Sequence, residues 1–386
     1  MVNDMKKDKT KNIIKCILFF IIFCVLMGVL SVVFYPKTSD PEGGLSNPNA
    51  RGFYGEPRNS LDVVVMGNSN AYSAYSPMMM WKNYGIPTYV AAEGAQNIAE
   101  TVNVLQEVLT CQKPKLVVLD VDLLWQGKTQ VSRVEGNVKS LIYKYIPIMK
   151  YHDRWKTLAL KDSFKKKSYT YRSSTRGQYL SRTVMAYTGE DKMVETKDIE
   201  PVPKSSRIFL KMFLDICKEN NVEVMFVEMP TASSWNYKKY NGMTQYAKKL
   251  GIPFLDLNTV KGKNKINWET DTRDGGKHLN CYGARKVTRE IGKYISKHYS
   301  FENKKKDSRY TDWNNQYKVY KKYMKNPATV ITVDENGEQT QTTVEAEKIN
   351  KKSAGKKDKK KNKKKNQKKN KKSSDKKTTT TTKNNK

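Results

Sequence analysis

The amino-acid sequence predicts an α/β domain built on a parallel sheet with helices on both of its faces. Two stretches of the 386-residue chain, 61–121 and 209–295, alternate short apolar segments with helical stripes of apolar residues. The apolar segments are continuous runs, which is typical of parallel strands buried on both faces. The alternation of strand and helix favours right-handed crossovers and a three-layer fold.

Residues 16–35 form the first distinct element, a run of twenty residues without a charged side chain. As a helix rising about 1.5 Å per residue, this run is long enough to cross the roughly 30 Å hydrocarbon layer of a bilayer. A cleaved signal peptide is the alternative, but its apolar region is usually about 7 to 15 residues long and is followed by small residues. Here the run is longer and leaves through Phe34, Tyr35 and Pro36, so we predict a transmembrane helix.

The distribution of lysines predicts the orientation of this helix. Residues 1–15 contain five lysines, whereas Lys37 is soon followed by Asp40 and Glu42. By the positive-inside rule, residues 1–15 lie in the cytoplasm and the chain after residue 35 lies outside the cell membrane.

The globular domain is predicted over 59–300, after a linker rich in Pro, Gly and Asn at 36–58. Ser76 followed by Pro77 is typical of a helix start, and Gly85 is typical of a helix end. The first half is therefore expected to contain a strand at 61–66, a helix from Ser76-Pro77 to Gly85, a strand at 88–92, a helix carrying Ile98, Val102, Leu105 and Leu109, and a strand at 116–121.

The second half repeats the pattern. It is expected to contain a helix with the stripe Phe209, Met212, Phe213 and Ile216, a strand at 222–227, a helix at 237–250, a strand at 254–257 and a closing helix with the stripe Ala284, Val287, Ile291 and Ile295. Apolar residues three and four apart predict that these stripes face the sheet.

Three further segments lie outside this alternation. Residues 126–201, between the two halves, are basic and rich in tyrosine, and they predict an inserted helical subdomain that serves as a lid or binding surface. Residues 301–350 form a C-terminal extension with a hairpin at Asn336-Gly337. Residues 351–386 contain eighteen lysines, two aspartates and no aromatic residue, so we predict a disordered tail.

The location of the charge indicates the partners of this tail. The chain carries a formal net charge of +34. An exported polybasic tail is expected to bind anionic wall polymers or lipid head groups, and we expect no nucleic-acid partner.

No metal or other cofactor is expected. Outside the apolar helix, Cys111, Cys217 and Cys281 have no C-x-x-C spacing, so they predict neither a zinc site nor a disulfide framework. Asp120 and Asp122 at the end of a strand lack the further oxygen ligands that hard cations need.

Ser69 is the candidate nucleophile. The segment Gly67-Asn68-Ser69-Asn70 directly follows the first predicted strand, which presents Ser69 on a strand-to-helix turn at the rim of the sheet. Sites of parallel α/β sheets lie at this rim, beyond the carboxyl ends of the strands. The same four residues are good turn formers, so the pattern alone does not establish a reactive serine.

A second segment supplies the base that a serine nucleophile needs. Asp274-Gly275-Gly276-Lys277-His278 precedes the closing helix and brings a carboxylate and an imidazole onto one loop. The other two histidines lie in the insertion (His152) and near a helix end (His298). We therefore predict Ser69 and His278 as a reactive pair, with Asp274 as the carboxylate that orients the imidazole.

These two segments resemble the first and last sequence blocks of the SGNH/GDSL hydrolase family. The resemblance is strongest to a membrane-anchored branch that accompanies membrane-bound O-acyltransferases in the modification of cell-surface polysaccharides, and it covers most of residues 57–320. The positions that carry it further are Ser76-Pro77, Trp81, Tyr84-Gly85-Ile86-Pro87, Gln96, Pro114-Lys115, His152-Asp153-Arg154-Trp155, His278-Leu279-Asn280, Gly283-Ala284, Trp313 and Tyr317.

The sequence departs from the family pattern at three points. Asn70 stands where close relatives often have histidine, the spacing from Asp274 to His278 is one residue longer than the usual Asp-x-x-His, and the third block, Gly-x-Asn-Asp, is absent. Because of the longer spacing, Asp271 is an alternative orienting carboxylate, and a Ser-His dyad without a carboxylate is another alternative.

The resemblance also implies an oxyanion hole. Its donors would be the backbone N–H of Ser69, a second N–H near Gly94 and an amide side chain. Since the family asparagine is missing, Asn68, Asn70 and Gln96 are the available amides, and each of them could instead be a turn or capping residue.

The resemblance implies transfer or hydrolysis of an acyl group, most simply acetyl, on an extracytoplasmic glycan, with a membrane-bound O-acyltransferase as a possible partner. One alternative is D-alanyl transfer to teichoic acid, although the neutral Asn70 replaces the acidic residue usual in that motif. The other alternative is a non-catalytic scaffold that keeps the fold and binds an anionic wall polymer and a membrane acyltransferase.

Overall fold

The computed structural model describes residues 2–39, 45–156, 158, 161, 165–334 and 336–354. Its centre is a parallel sheet of five strands in the order β2-β1-β3-β5-β6. The strands, numbered along the chain, are β1 Val63–Gly67, β2 Thr88–Ala92, β3 Leu116–Asp120, β4 Val184–Met185, β5 Glu223–Glu228, β6 Phe254–Asp256, β7 Ala328–Val333 and β8 Gln339–Val344.

Apolar side chains cover both faces of this sheet. Every residue of the strands β1, β2 and β3 is buried. Val64 and Met66 point into one core, whereas Val63 and Val65 point into the other, because successive side chains of a strand face opposite sides. The predicted fold class, a parallel α/β sheet with helices on both faces, is confirmed.

Helices pack on both faces of the sheet, and others lie outside these two layers. The helices are α1 Val2–Phe34, α2 Pro48–Arg51, α3 Ser69–Ala74, α4 Pro77–Tyr84, α5 Ile98–Leu109, α6 Gln130–Tyr145, α7 Ile148–Tyr151, α8 Lys204–Glu219, α9 Tyr237–Leu250, α10 Cys281–His298, α11 Thr311–Tyr323 and α12 Ala346–Ser353. Side chains of α5, α8 and α9 belong to the first core, and those of α3 and α10 belong to the second. The closing stripe predicted on α10 is buried at all four positions.

The stripe predicted on α8 is shifted by one residue. Leu210, Phe213 and Cys217 are buried, whereas Met212 is 43% exposed. The physical reason is that Leu210 and Cys217 lie on the same side of the helix as Phe213, three and four residues away, and this stripe is the one that packs against α5.

Part of the predicted linker belongs to the domain. Within 45–58, Phe53 is fully buried and Arg51 is 2% exposed. The guanidinium of Arg51 pairs with Glu107 at 2.8 Å and with Glu100 at 3.2 Å, both on α5. A buried arginine between carboxylates holds its segment firmly, so 45–58 belong to the domain, and 40–44 lie outside the described residues.

The insertion is helical only in its first part. Its helices α6 and α7 contact α5 and each other, while residues 165–203 cross the domain with no helix among those described. β4, within this second part, pairs with β7 to extend the predicted hairpin β7–β8 into a three-stranded sheet. The insertion is thus joined to the C-terminal extension rather than forming a separate subdomain.

A buried arginine ties these two segments together. Arg176 of the insertion, 1% exposed, pairs with Glu56 at 3.3 Å and with Asp312 of α11. Its guanidinium lies 4.8 Å from the ring of Trp313, which in turn packs against Trp81 at 5.3 Å. The extension, whose role the sequence did not indicate, therefore covers α4.

The last helix, α12, ends at Ser353, so Lys351 and Lys352, predicted to begin the disordered tail, are helical. The rest of the predicted tail, 355–386, lies outside the described residues.

Helix α1 is the one helix among the described residues that is long and apolar enough to cross a membrane, over Lys9–Phe34. Its last turn contacts the domain: Ser31 Oγ accepts a hydrogen bond from Ile148 N–H at 3.3 Å, and the rings of Tyr35 and Tyr151 lie 5.6 Å apart. Length and composition alone also fit a signal sequence.

Three acidic side chains are buried at the carboxyl ends of β3, β5 and β6: Asp120, Glu228 and Asp256. Neither carboxyl oxygen of Glu228 has a hydrogen-bond partner among the described residues. Burial, and then the charge of Asp120, raises the pKa of Glu228 well above its usual value, and burial raises the pKa of Asp256 to about 6. The folded chain therefore keeps a proton on Glu228 over a pH range in which the unfolded chain has lost it.

The proton on Glu228 predicts that Glu228→Gln reduces the loss of stability as pH rises from 5 to 8. A carboxyl whose pKa is raised by folding lowers the free energy of unfolding as pH rises above its unfolded pKa, because the folded state then binds more protons. Between pH 5 and pH 8 the melting temperature of the full chain in detergent should fall less for Glu228→Gln than for wild type. Each kcal/mol corresponds to about 2 to 4 °C.

Glu223→Gln, at the exposed start of the same strand, is the matched control and should follow wild type. Equal pH slopes for Glu228→Gln and wild type would show that Glu228 does not take up a proton on folding.

Candidate active site

The turn after β1 presents Ser69 at the carboxyl edge of the sheet. β1 ends at Gly67, Asn68 caps α3 by accepting a hydrogen bond from Asn70 N–H at 2.9 Å, and Ser69 is the first residue of that helix. A Cβ on Gly67 would lie 2.7 Å from the Cβ atoms of both Ala71 and Asp120, so only glycine fits there. The sequence therefore folds into a tight strand-to-helix turn with the serine at its tip.

Ser69, His278 and Asp274 form a continuous chain of hydrogen bonds. His278 Nε2 lies 2.8 Å from Ser69 Oγ, and His278 Nδ1 lies 2.6 Å from Asp274 Oδ2. The backbone N–H of His278 also donates to Asp274 Oδ1 at 2.7 Å. With the Nδ1 proton donated to the carboxylate, Nε2 is the nitrogen that can accept the proton of the serine hydroxyl.

The carboxylate of Asp274 is stabilised in its charged form. Burial would raise the pKa of Asp274, but the hydrogen bonds from the ring and backbone of His278 and the charge of Arg273 outweigh it and lower this pKa below its usual value. The side chains of His278 and Asp274 are 23% and 35% exposed, so the chain of hydrogen bonds is open to a ligand on one side.

Two glycines explain how the long spacing still brings Asp274 to His278. Gly275 and Gly276 have φ angles of 67° and 89°, in the left-handed region that residues with a Cβ rarely adopt. Gly276 N–H donates to Thr272 Oγ1 at 2.8 Å, and the Thr272 hydroxyl donates to the carbonyl of His278 at 3.0 Å. The loop therefore closes on itself and returns the imidazole to the carboxylate.

Asp271, the alternative carboxylate, does not contact His278. It is fully buried and forms an ion pair with Lys286 of α10 at 2.6 Å. It also accepts hydrogen bonds from Asn267 N–H at 2.8 Å and from the hydroxyl of Ser353 at 2.5 Å. These contacts give Asp271 a structural position behind the loop, and of the two candidates only Asp274 lies against the imidazole.

The amide side chains considered for an oxyanion hole are engaged elsewhere. Asn68 and Asn70 both donate to Asp122 Oδ2, at 3.0 and 3.2 Å. Gln96 accepts from Glu93 N–H and donates to Thr101 Oγ1, each at 2.9 Å. These amides hold the loops after β1 and β2, and each of them donates a hydrogen bond to a residue other than Ser69. Gly94, by contrast, is exposed beside the site.

Tyr72 is a site residue that the sequence analysis missed. Its hydroxyl lies close to Ser69, and a Cβ on Gly94 would lie 3.8 Å from the same oxygen. Burial raises the pKa of Tyr72, so its hydroxyl remains a donor. Tyr72 lies three residues after Ser69 on α3, and this helical spacing is the signal that could have identified it.

Arg273 and Tyr179 complete the wall beside Tyr72. The rings of Tyr72 and Tyr179 are 6.0 Å apart, and the Arg273 guanidinium lies 4.6 Å from the Tyr179 ring. Arg273 also donates to Ser73 Oγ at 2.7 Å and to the carbonyl of Leu279 at 3.0 Å. No sequence signal connects Tyr179, in the insertion, with this loop.

No protein-family profile and no curated protein sequence matches the chain. Similar solved structures include a protein described as an acylhydrolase from Bacteroides fragilis, at 15% identity and TM-score 0.35, with 67% of this chain and 97% of that chain covered. A GDSL-like lipase from Bacteroides thetaiotaomicron has 16% identity, TM-score 0.32 and coverages of 61% and 87%. An acetyl xylan esterase from Butyrivibrio proteoclasticus has 12% identity, TM-score 0.29 and coverages of 62% and 64%. These likenesses are distant.

The hydrogen-bond chain predicts that Ser69 reacts with a fluorophosphonate probe, because such probes label serines that a base deprotonates. In the full chain in detergent, mass spectrometry should find the label on Ser69. His278→Ala should slow labelling by about 100-fold or more, the usual contribution of a general base.

His298→Ala is the matched control, since His298 stacks on Tyr294 at the end of α10, away from the loop. Labelling that persists in Ser69→Ala, or that is equally fast in His278→Ala, would contradict an activated serine.

Proposed function

We propose that this chain is an SGNH-type serine esterase or O-acyltransferase that cleaves or transfers an acyl group, most simply acetyl, on a cell-surface glycan. The observation that carries the proposal is the hydrogen-bonded chain Ser69–His278–Asp274 at the carboxyl edge of the sheet. This arrangement of nucleophile, base and orienting carboxylate is the one that acyl transfer requires.

In the proposed reaction, Ser69 Oγ attacks the acyl carbonyl carbon while His278 Nε2 takes the hydroxyl proton. Asp274 holds the imidazole in the required tautomer and stabilises its positive charge. When the tetrahedral intermediate collapses, the bond to the alcohol oxygen breaks and that oxygen takes the proton from His278. Water or a glycan hydroxyl then attacks the acyl-enzyme, with His278 again as the base, and the choice between them distinguishes an esterase from a transferase.

The negative oxygen of the intermediate needs hydrogen-bond donors. The proposed donors are the backbone N–H of Ser69, the backbone near Gly94 and the hydroxyl of Tyr72, which takes the place of the missing family asparagine. The proximity of the Tyr72 hydroxyl to both Ser69 and Gly94 supports this role. A single donor of this kind typically contributes about 10²- to 10³-fold in rate.

The decisive measurement is hydrolysis of an activated acetyl ester, and transfer of acetyl to a glycan, by the full chain in detergent. Ser69→Ala and His278→Ala should each lower kcat by about three decades or more, and the double variant should lose little beyond either, because the pair acts as a unit. Asp274→Asn should lose less. Tyr72→Phe should lower kcat by about 10-fold or more, with KM nearly unchanged, since an oxyanion donor acts in the transition state.

Melting temperatures must stay similar across this set, so that lost activity is not lost fold. Asp271→Asn is informative on that point: it leaves Lys286 buried without its partner and should cost stability, on the order of 3 to 5 kcal/mol. Its rate per folded molecule should fall less than that of Asp274→Asn, because Asp271 supports the loop and does not contact His278. Absence of serine-dependent activity, together with normal glycan acylation in cells that carry Ser69→Ala, would favour the scaffold alternative.

We also propose that α1 anchors the chain in the membrane with its N-terminus in the cytoplasm. The apolar side chains of α1 between Ile13 and Val32 are largely exposed, as expected for lipid contact, whereas its last turn packs on α7. The domain would then lie at the outer membrane surface, near glycans, anionic wall polymers and a membrane-bound O-acyltransferase as proposed partners.

This topology predicts the outcome of protease treatment of intact cells stripped of their wall. A tag at the C-terminus should be digested and a tag at the N-terminus should be protected, because the lysine bias keeps residues 1–15 inside. The same pattern must disappear when the membrane is permeabilised. A protected C-terminal tag in intact cells would contradict the proposed orientation.

A further inference from the structure

A second cavity opens at the same edge of the sheet as Ser69. It has a volume of about 520 Å³. Pro230–Ala232 after β5 and Asn258–Val260 after β6 form its floor, and residues 187–195 of the insertion form another side. Ser69 follows β1 in the same way, so the cavity and the serine share the edge at which parallel α/β sheets bind their ligands. We call it the insertion groove.

The catalytic loop, residues 274–278, is in direct contact with the lining of the insertion groove. Gly276 packs so closely that a Cβ there would lie 2.8 Å from the Tyr187 ring and 2.9 Å from the Ala232 Cβ. The carbonyl of Gly276 accepts a hydrogen bond from Ala232 N–H at 2.8 Å. Gly276 lies two residues before His278, so the groove runs along the side of the loop that does not face Ser69.

The lining combines aromatic rings with free polar groups. The four aromatic residues form two edge-to-face pairs, Tyr187 with Trp268 at 6.3 Å and Tyr237 with Tyr240 at 5.0 Å, and all four are only partly buried. Partly exposed rings offer flat apolar faces against which the C–H face of a sugar ring can pack.

The charged lining is balanced, unlike the rest of the protein. Three acidic residues (Glu190, Asp191, Glu195) lie beside three lysines (Lys192, Lys261, Lys265). The whole chain, in contrast, carries a net charge of +34. Within the part of the chain that the structure describes, the side chains of Glu190, Lys261 and Lys265 make no hydrogen bond or ion pair. They can therefore exchange hydrogen bonds with ligand hydroxyls.

We propose that the insertion groove binds a neutral oligosaccharide and holds the chain whose acyl ester is formed or cleaved at Ser69. The proposal rests on the proposed function for the link to Ser69, while binding in the groove stands on its own. Aromatic faces and mixed donors and acceptors suit a hydroxyl-rich, uncharged ligand. An anionic polymer would gain no net attraction from three carboxylates and three lysines, so this lining does not select for negative charge.

Binding can be measured by isothermal titration calorimetry on the full chain in detergent, in a Ser69→Ala background that prevents turnover. The probes are the neutral hexasaccharides of cellulose, xylan, starch and chitin, and hexagalacturonate is the anionic comparison. At least one neutral hexasaccharide should bind, and hexagalacturonate should bind more weakly at physiological salt.

Trp268→Ala and Tyr237→Ala should each weaken that binding by about 10-fold or more, because each removes an aromatic face. Glu190→Ala combined with Lys261→Ala, both exposed and therefore harmless to folding, should weaken it measurably. Tyr317→Ala, a half-buried tyrosine on α11 outside the groove, is the matched control and should bind as the parent does.

The two proposals can fail separately. If wild type hydrolyses 4-nitrophenyl acetate but no neutral hexasaccharide binds, or if binding is unchanged in all groove variants, the groove proposal is wrong and the esterase proposal stands. If a hexasaccharide binds and the groove variants lose it, while wild type has no serine-dependent activity, the groove proposal stands and the enzymatic one is wrong. Tighter binding of hexagalacturonate, or of an acidic peptide, than of every neutral probe also overturns the groove proposal.

Discussion

The buried ion pair between Asp271 and Lys286 fixes the loop on which the site depends. Lys286 comes from α10, and its ammonium also donates to the carbonyls of Lys265 and Ser353, so one buried charge connects α10, the loop before it and α12. The side chain of Asn280 caps α10 and donates to the carbonyls of Thr270 and Thr183. A pair of buried charges tolerates little displacement, because separation would leave both desolvated. The loop between these anchors is therefore held, and Asp274 and His278 with it.

The same constraint explains why the insertion and the extension matter to the site. α12 belongs to the extension and contributes Ser353 to the environment of Asp271. The insertion contributes two residues. Tyr179 packs beside Arg273, and the carbonyl of Met185 accepts a hydrogen bond from Gly275 N–H at 3.2 Å. Arg176 joins the insertion to the extension, so the two segments that contact the loop and its supporting ion pair are themselves connected. They are parts of the site's support rather than appendages of a complete domain.

Sequence patterns predicted the sheet, most helices and the position of Ser69, because apolar runs and turn residues act over a few neighbouring positions. They could not separate Asp274 from Asp271, since that choice depends on two left-handed glycines and on a lysine fifteen residues away on α10. They also could not decide whether Asn68, Asn70 and Gln96 are oxyanion donors or turn and capping residues, because their hydrogen-bond partners Asp122, Glu93 and Thr101 are identified only by the fold. Burial of Arg51 within a stretch of linker-like composition was hidden for the same reason: its partners are about fifty residues away.

The departures from the SGNH pattern are connected rather than independent. A family member uses a short Asp-x-x-His loop and an asparagine from the third block. Here the loop is longer by one residue, and its two glycines let it pack directly on Tyr187 and Ala232, which line the insertion groove. β3 is followed by Asp122, whose carboxylate accepts hydrogen bonds from the amides of Asn68 and Asn70 and so fixes the turn of Ser69. A carboxylate cannot donate to an oxyanion, so Asp122 positions the turn, and the proposed donor is the Tyr72 hydroxyl, which lies near Ser69 and Gly94.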